Sequence, residues 1–442
     1  MSVVRPGALD ARVERLAAAL AAARPKPRVV GLLADNGPEW LVADLAAEKA
    51  GVVLVPLPAF FTPAQLEHAV GASGMDGVLG APLPGFVAAG EIEGLRWWRR
   101  AALPAAFPRG TSKVTFTSGT TGAPKGVPLR AAQQWAVAHA LAGATHSLGL
   151  KRHVCLLPLS VLLENVAGVY APLAADMECC LPPLAETGLR GSSGFDPSAC
   201  LAAIERWQAD SAILLPQMLA ALTLALERGA TPPRSLKFAA VGGAKVSADL
   251  IARARALGLP VYEGYGLSEC ASVVSLNLPG ADRLGSVGKP LTEVRVVDGE
   301  IHVKADGAWL ATGDLGRLDA DGFLHIDGRR KHVLITSYGR NVSPEWPEAE
   351  LLAGPAIVQA AVFGEAKPRL CAVVVPAAAA SASAVEAQVR AANSRLPDYA
   401  RIGAWLLADA PFTPQNGLAT ANGRARRDAL WKTYGRRLDG LL

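Results

Sequence analysis

The sequence predicts an α/β protein, with a large N-terminal part on doubly wound, mostly parallel sheets, a β-rich module, and a small C-terminal α+β domain. The first observation is that strand-like and helix-like apolar runs alternate, at residues 29–33 and 39–49 and again at residues 238–241 and 248–257. Strands joined in this way by helices usually pair in parallel. The second observation is a later change to short strands. The third is the length of 442 residues, which exceeds the size of one typical domain.

The β-rich module and the C-terminal domain are predicted from turn signals and from a final change of pattern. Three Asp-Gly dipeptides, at residues 298–299, 306–307 and 321–322, separate short strand-like runs, and each predicts a hairpin. After Gly328, two strand-like runs precede a helix-like run at residues 384–396. We therefore expect an N-terminal domain over residues 1–328 and a C-terminal domain over residues 329–442.

Composition excludes several classes of protein. The chain is 51% hydrophobic, which argues against disorder, and its net charge of +5 is too small to indicate nucleic-acid binding. Six cysteines without a CxxC pair favour neither a zinc site nor a disulfide framework, so we expect a cytoplasmic protein. The most apolar stretch, residues 154–173, contains Pro158, Glu164 and Asn165, and we expect it to be buried in protein rather than to cross a membrane.

The densest motif follows a strand-like run and precedes a helix-like segment. Hydroxyl groups, glycine N–H groups and one lysine are suited to bind phosphate oxygens. Its residues are Thr117, Ser118, Gly119, Thr120, Thr121, Gly122 and Lys125. The motif is not a Walker A loop, because Gly126 rather than Ser or Thr follows Lys125.

These residues resemble the phosphate loop of the acyl- and aryl-adenylate-forming superfamily, the AMP-binding acyl-CoA synthetases. Further segments follow in the family's order: residues 262–269 resemble its adenine and magnesium motif, residues 312–314 its ribose motif, and residues 328–331 its hinge. The resemblance covers nearly the whole chain. It is nearest to the long-chain fatty acyl-CoA ligase subgroup, on residues 157–164 and 412–420.

The resemblance implies a nucleotide site and a magnesium site. Tyr265 would stack on adenine, Ser268 would lie near the α-phosphate, and Glu269 would bind Mg²⁺. Asp314 would accept hydrogen bonds from the ribose hydroxyl groups, and Arg329 would donate to the same sugar. The remaining nucleotide-binding candidates are the backbone-exposing residues Gly242, Gly243, Ala244 and Gly266.

For the C-terminal domain, the resemblance implies a mobile lid that turns about Lys331. Gly339 and Arg340 belong to the loop expected to meet the thiol arm. Arg424 stands where the family has its catalytic lysine, which binds the substrate carboxylate and the α-phosphate, and Arg differs from Lys in length and geometry. From charge patterning alone, the basic residues near the C-terminus predict a solvated helix face, and we expect Arg427 to lie on its solvated side.

Three residues are candidates for the acyl pocket: Val161, Leu162 and Gly264. Val161 stands where the long-chain subgroup usually has a histidine. Other enzyme classes fit poorly, because no HExxH or other clustered His/Cys ligand set is present and residues 266–270 lack the second glycine of a GxSxG nucleophile elbow.

The expected function is ATP-dependent activation of a lipophilic carboxylic acid, such as a medium- or long-chain fatty acid, to acyl-AMP with release of pyrophosphate. Transfer to coenzyme A would then give the thioester. Lys125, Glu269 and Arg424 are the catalytic candidates, and ATP, Mg²⁺ and coenzyme A are the cofactors. Two alternatives stay open: transfer to the phosphopantetheine of an acyl carrier protein, and a non-catalytic protein of the same fold, suggested by Arg424. We expect no nucleic-acid partner and no transmembrane segment.

Overall fold

The computed structural model describes residues 3–103, 105–117, 124–190, 194–338, 340–420 and 423–441. The chain divides into two compact units. The first comprises Met1–Ile213, Pro233–Ala239 and Gly266–Val274, and the second comprises Leu214–Pro232, Ala240–Tyr265 and Ser275–Leu442. The expected domain boundary after Gly328 lies inside the second unit and stays a prediction.

Both units contain helices and strands, which confirms the α/β class. The α-helices of the described residues are α1 (Asp10–Ala22), α2 (Pro38–Lys49), α3 (Pro63–Ser73), α4 (Ala131–Thr145), α5 (Ala171–Ala174), α6 (Pro197–Arg206), α7 (Pro216–Glu227), α8 (Ala248–Ala256), α9 (Glu345–Leu351), α10 (Ala382–Arg395) and α11 (Arg427–Asp439). Glu164–Tyr170 is π-helical, and short 3₁₀ turns occupy His146–Leu148, Leu184–Thr187, Ser268–Cys270 and Asp398–Ala400.

The strands are β1 (Val3–Val4), β2 (Val29–Leu33), β3 (Val53–Pro56), β4 (Gly77–Gly80), β5 (Val87–Ile92), β6 (Leu95–Arg99), β7 (Thr111–Thr117), β8 (Lys125–Arg130), β9 (Arg152–Val154), β10 (Glu178–Cys180), β11 (Leu189–Arg190), β12 (Gly194–Phe195), β13 (Ser211–Leu214), β14 (Phe238–Val241), β15 (Val261–Leu267), β16 (Ser272–Leu276), β17 (Lys289–Pro290), β18 (Val294–Val297), β19 (Glu300–Ala305), β20 (Ala308–Leu318), β21 (Leu324–Arg329), β22 (Leu334–Ile335), β23 (Asn341–Val342), β24 (Ile357–Phe363), β25 (Leu370–Pro376) and β26 (Ile402–Leu407).

In the first unit, a seven-stranded sheet has the order β5-β6-β4-β2-β3-β7-β8. Its centre is parallel, because β2 pairs in parallel with β3 and β4 and β3 pairs in parallel with β7. Antiparallel strands flank this centre on both sides. The sheet is therefore mixed rather than mostly parallel. The same unit contains a parallel arrangement of β10, β9 and β13.

The strand β8 lies between the phosphate-loop motif and α4 and pairs with β7. Its side chains alternate in burial, with Val127 and Leu129 buried and Pro128 and Arg130 exposed. Period-two burial is typical of a strand with one face on the core. The described ends of the motif, Thr117 and Lys125, thus lie on two paired antiparallel strands.

In the second unit, the three predicted hairpins are confirmed. β18, β19, β20 and β21 form a four-stranded antiparallel sheet, and the Asp-Gly pairs lie at its turns. Asp298 and Asp306 have φ angles of 49° and 54°, and the glycines that follow them also have positive φ. Two residues with positive φ are what a tight hairpin turn requires, and Asp-Gly adopts them at low cost.

The C-terminal part of the second unit is built on β24, β25 and β26. Alternate residues of β25 enter two different cores: Ala372 and Val374 pack in one with Val385 of α10, while Val373 packs in the other with Leu430 of α11. This central strand is buried on both faces, which explains its continuous apolar sequence. Among the described residues, no helix combines the length and the apolar character needed to span a membrane.

Candidate functional site

Two of the phosphate-loop candidates, Thr117 and Lys125, lie at the facing ends of β7 and β8. Thr117 and Lys125 are paired residues at the ends of the two strands, and the Thr117 hydroxyl donates to the Lys125 carbonyl at 3.4 Å. The Lys125 side chain is exposed. Ser118, Gly119, Thr120, Thr121 and Gly122 lie outside the described residues. The described ends of the motif are therefore a close antiparallel pair from which a lysine projects into solvent.

The segment of Ser268 and Glu269 also belongs to the first unit. A Cβ on Gly266 would lie 1.7 Å from the Ser272 carbonyl oxygen, so only glycine fits at that position. Ser268 is half-buried and Glu269 is exposed, while the Glu269 carbonyl oxygen accepts a hydrogen bond from Gln133 Nε2 at 3.0 Å. The backbone is thus fixed, and the Glu269 carboxylate is accessible to a cation.

In the second unit, Asp314 is the centre of a compact polar cluster. The Tyr265 hydroxyl donates to Asp314 Oδ2 at 2.5 Å, and Arg329 Nε lies 2.7 Å from Asp314 Oδ1. The backbone N–H of Asp314 donates to the Thr312 hydroxyl at 3.0 Å, which in turn donates to the carbonyl oxygen of Ile301. Asp314 and Arg329 are also register partners of β20 and β21. The pairing of these strands therefore brings Asp314 and Arg329 together, and the hydrogen bond from the Tyr265 hydroxyl adds a third predicted nucleotide-site residue.

Burial controls the protonation of this cluster. Burial raises the pKa of the Asp314 carboxyl, while the Arg329 charge and the Tyr265 hydroxyl oppose that rise. Burial and the neighbouring Asp314 carboxylate also raise the pKa of the Tyr265 hydroxyl well above its ordinary value. Tyr265 is consequently a hydrogen-bond donor at neutral pH. The sequence missed this donor role, since it indicated only an aromatic face.

The predicted glycine segment is constrained by its close neighbours in the second unit. A Cβ on Gly242 would lie 3.0 Å from the Gly264 carbonyl oxygen, and a Cβ on Gly264 would lie 3.1 Å from the Ser275 carbonyl oxygen. Gly243 has a φ of +86°, which disfavours any residue with a side chain. Gly243 and Ala244 are exposed. The segment therefore presents backbone to solvent, as a site for a flat ligand requires.

Arg424 contacts this glycine segment directly. Its Nη2 donates to the Gly243 carbonyl oxygen at 2.6 Å. Loss of hydration lowers the pKa of Arg424, and the nearby Arg329 charge acts in the same direction, while Asp314 and Glu345 oppose it. The residue is nevertheless exposed to solvent, so its guanidinium group is charged at neutral pH. Arg424 is thus a cation that lies within electrostatic reach of the Asp314 cluster.

The hinge candidates lie where β21 ends. Lys331 is exposed, and its neighbour Arg330 pairs with Glu300 at 3.0 Å. A Cβ on Gly328 would lie 2.0 Å from Ser343 Oγ, so the chain passes Ser343 too closely for any side chain. Arg340 is exposed, and its backbone N–H donates to the Thr336 hydroxyl. Gly339 lies outside the described residues.

The expectation that Arg427 is solvated is wrong. Only 20% of its side chain is exposed, and it donates to both carboxylate oxygens of Glu348, at 2.5 and 2.7 Å. Glu348 and Arg427 are 79 residues apart in the chain, so charge patterning within the last helix could not reveal this ion pair.

The acyl-pocket candidate Val161 follows a segment whose backbone is held by side chains. Asn36 accepts from the Leu159 N–H at 2.8 Å and donates to the Leu157 carbonyl oxygen at 2.9 Å. Glu164 accepts from the Leu157 N–H at 3.1 Å. Leu162 is buried in a hydrophobic cluster with Val127, Leu129, Val166 and Ala271. No local pattern indicates Asn36 as a partner of this segment, because it lies more than one hundred residues before Leu157 and Leu159.

The structure brings together one His/Cys/Glu group that the sequence did not indicate. Ligand atoms of His153, Cys155 and Glu164 lie within 4.8 Å of one another, and all three residues are buried. His153 contacts the Ser211 hydroxyl at 3.0 Å and Glu164 at 3.2 Å, while the Cys155 thiol faces the Gly168 carbonyl oxygen. Burial raises the pKa of that thiol well above its ordinary value. The polar atoms of these three residues thus have partners within the protein.

Comparison with known proteins agrees with this geometry. A family model described as "AMP-binding enzyme" matches residues 7–308, and one described as "AMP-binding enzyme C-terminal domain" matches residues 331–441. A feruloyl-CoA synthase of Amycolatopsis sp is 32% identical over 424 residues, covering 84% of this chain and 83% of that protein. An O-succinylbenzoate coenzyme A synthetase from Bacillus subtilis, solved in complex with ATP and magnesium ion, has a TM-score of 0.73 and 25% identity, covering 95% of this chain and 93% of that one.

The expected superfamily is confirmed, but the long-chain subgroup is not established. A long-chain-fatty-acid–CoA ligase of Mycobacterium bovis is 39% identical over 160 residues, which cover only 31% of this chain and 26% of that protein. The match with the feruloyl-CoA synthase extends much further along the chain. Together with the family models, it shows that the chain belongs to the AMP-binding enzyme family and is an AMP-forming acid–CoA ligase.

Proposed function

We propose that the protein activates a lipophilic carboxylic acid, in particular a medium- or long-chain fatty acid, and transfers the acyl group to coenzyme A. One observation supports the proposal most strongly. Arg424 donates to the Gly243 carbonyl oxygen within the unit that contains Tyr265, Asp314 and Arg329. A cation therefore approaches the proposed nucleotide site from the segment in which the family has its catalytic lysine.

The proposed nucleotide site uses the Asp314 cluster for the ribose. A buried carboxylate that already accepts from Tyr265 and Arg329 has lone pairs available for sugar hydroxyl groups. Gly242, Gly243 and Ala244 would expose their backbone to the adenine. Ser118–Gly122, with Thr117 and Lys125 at the strand ends, would bind the phosphates.

Glu269 is the proposed ligand of Mg²⁺. Its carboxylate is exposed on a backbone that Gly266 and Gln133 hold in place, and Mg²⁺ prefers such hard oxygen ligands together with phosphate oxygens. When bound, the ion would neutralise negative charge on the phosphates. The Bacillus subtilis relative was solved in complex with ATP and magnesium ion, which supports a magnesium ion as a participant in the proposed reaction.

The first half-reaction requires charge neutralisation rather than an enzyme nucleophile. A carboxylate oxygen attacks the α-phosphorus, the bond from that phosphorus to the bridging oxygen breaks, and pyrophosphate leaves with the bridging oxygen. Lys125 and Arg424 would stabilise the negative charge on the phosphates and on the entering carboxylate. In the second half-reaction, the thiol sulfur attacks the acyl carbon and AMP leaves.

A lipophilic acid is supported by the character of the proposed acid pocket and by one relative. Val161 is aliphatic and half-buried, and Leu162 beside it is buried in a hydrophobic cluster. The Mycobacterium bovis relative is a long-chain-fatty-acid–CoA ligase. Because another relative is a feruloyl-CoA synthase, an aromatic acid is the alternative substrate, and the test must distinguish it from a fatty acid.

The test is acid-dependent release of pyrophosphate from Mg·ATP across a panel of fatty acids, hydroxycinnamic acids and short-chain acids. We expect the highest kcat/KM with medium- or long-chain fatty acids, and thioester formation with coenzyme A faster than with a phosphopantetheinylated carrier protein. A preference for ferulate would overturn the proposed acid class. Tight ATP binding without acid-dependent pyrophosphate for any acid would overturn the activity itself.

A further inference from the structure

Arg253 on α8 connects to the segment that follows α9. Its Nη1 donates to the Ala353 carbonyl oxygen at 2.7 Å, two residues beyond the end of α9. Its Nε and Nη2 donate to Glu227 Oε1 of α7 at 3.0 and 2.6 Å, and Asp249 lies 3.6 Å away. Carbonyl groups at a helix C-terminus lack helical partners and carry partial negative charge, so a cation binds favourably there. Arg253 thus ties the end of α9 to α7 and α8.

The helix α9 in turn holds the start of α11. Glu348 accepts both hydrogen bonds from Arg427 and a third from the Val362 N–H at 2.7 Å. Burial raises the pKa of Glu345, but hydrogen bonds from His332 and Ser343 and the charge of Arg427 bring it down to about 2. Glu345 is therefore ionised at neutral pH and attracts Arg427. Two-point arginine-carboxylate pairs are geometrically specific, so α9 determines where residue 427 lies.

Arg424 lies three residues before Arg427 on a short, hydrogen-bonded loop. The Arg424 N–H donates to the Thr420 hydroxyl at 3.1 Å, and the Thr420 N–H donates to the Arg424 carbonyl oxygen at 2.7 Å. Ala419 and Ala425 form an antiparallel bridge at the base of the loop. The two ends of the loop are thus hydrogen-bonded to each other, so the position of Arg424 follows from the anchor at Arg427.

We propose that Arg253 is a positioning residue for Arg424. Arg253 holds the end of α9, and α9 fixes the position of Arg427 through Glu348. Arg427 in turn fixes the loop before α11, which places the Arg424 guanidinium group at the Gly243 carbonyl oxygen. The inference rests on the role proposed above for Arg424. Arg253 itself touches no substrate, and its effect on the reaction passes through the geometry of the loop.

The test compares Arg253→Ala with the parent in acid-dependent pyrophosphate release. A small displacement of a catalytic group is costly, so we expect kcat to fall by about tenfold with little change in the KM for ATP. Arg253→Lys keeps one donor for the Ala353 carbonyl oxygen and should recover part of the loss. The control is Arg206→Ala, which breaks a comparable helix-borne pair with Glu186 and should leave kcat unchanged.

Two further variants keep the inference open to contradiction. Glu227→Gln retains Arg253 but removes the charge that orients it, and should lower kcat in the same direction even if Arg253→Ala folds poorly. Combined with Arg427→Lys, Arg253→Ala should lower kcat by less than the product of the two separate losses. Parental kcat in Arg253→Ala or Glu227→Gln, together with a large loss in Arg424→Ala, would overturn this inference alone. Parental adenylation in Arg424→Ala would overturn the proposed role of Arg424 first.

Discussion

Single carboxyl groups in the second unit differ sharply in their surroundings. Asp314 is buried beside an arginine and a tyrosine hydroxyl, which suits the ribose-binding role proposed for this carboxylate. Glu345 is held ionised by His332 and Arg427. Glu263, on the same strand as Tyr265, is 6% exposed, and burial raises its pKa to about 8, although Lys245 opposes that rise.

The raised pKa of Glu263 makes folding stability depend on pH. Its ordinary value is 4.5, so between 4.5 and about 8 the native protein holds a proton that the unfolded chain has released. Stability from this residue is therefore present below the unfolded pKa and falls as pH rises towards 8. Glu263→Gln keeps the size and removes the ionisation. We expect its Tm to rise relative to the parent by several degrees between about pH 5 and about pH 8.5.

The matched control for this prediction is Glu386→Gln, because Glu386 is an exposed residue paired with Arg390 on α10. Its Tm difference from the parent should stay flat over the same pH range. A constant difference for Glu263→Gln as well would show that Glu263 does not titrate with the raised pKa.

At the scale of elements, features that depend on neighbouring residues could be predicted from the sequence, whereas contacts between distant residues could not. The Asp-Gly hairpins and the helices α2, α8 and α10 follow from neighbouring residues, so their positions could be predicted. The phosphate-loop, ribose and hinge motifs are likewise predicted from local sequence, and their roles stay predictions. Asn36 holds Leu157 across 121 residues, and Arg427 holds Glu348 across 79. The periodicity of hydrophobic residues does not indicate such pairs, because each pair forms only when the fold brings distant segments together.

The segment before Val161 is the element most dependent on such partners. Glu164 accepts from the Leu157 N–H with one oxygen and faces His153 with the other. A Cβ on Gly168 would lie 2.2 Å from Glu164 Oε1, so the glycine leaves room for this carboxylate in the π-helical segment. In Glu164→Gln, one amide oxygen replaces two acceptors, and a buried donor loses its partner at a cost of about 1–3 kcal/mol.

We expect Glu164→Gln to raise the KM for the acid several-fold while the KM for ATP changes little, because the segment would lose its fixed position. The control is Asp76→Asn, which weakens another buried carboxylate that accepts from the backbone N–H groups of Arg28 and Val29. That variant should lower Tm without changing the KM for the acid. Equal effects of the two variants on the KM for the acid would contradict a role for Glu164 in holding the segment before Val161.

At the scale of the whole molecule, the second unit contains both the Asp314 cluster and Arg424. Five polar contacts in this unit carry the proposal. Tyr265 and Arg329 contact Asp314, Arg424 contacts Gly243, Arg427 contacts Glu348, and Arg253 contacts Ala353. Substitution of lysine by arginine at residue 424 keeps the charge and lengthens the reach. This supports an active enzyme over a non-catalytic relative, and it makes Arg424 the residue on which the proposal depends.

The most direct measurement compares the two half-reactions of Arg424→Ala with those of the parent. Removing the cation should lower acid-dependent pyrophosphate release by about a hundredfold, while thioester formation from presynthesised acyl-adenylate should change much less. The control is Arg436→Ala, on the exposed face of α11, which should leave both half-reactions unchanged. Parental adenylation by Arg424→Ala would contradict the account, because the cation beside Gly243 would then have no part in activating the acid.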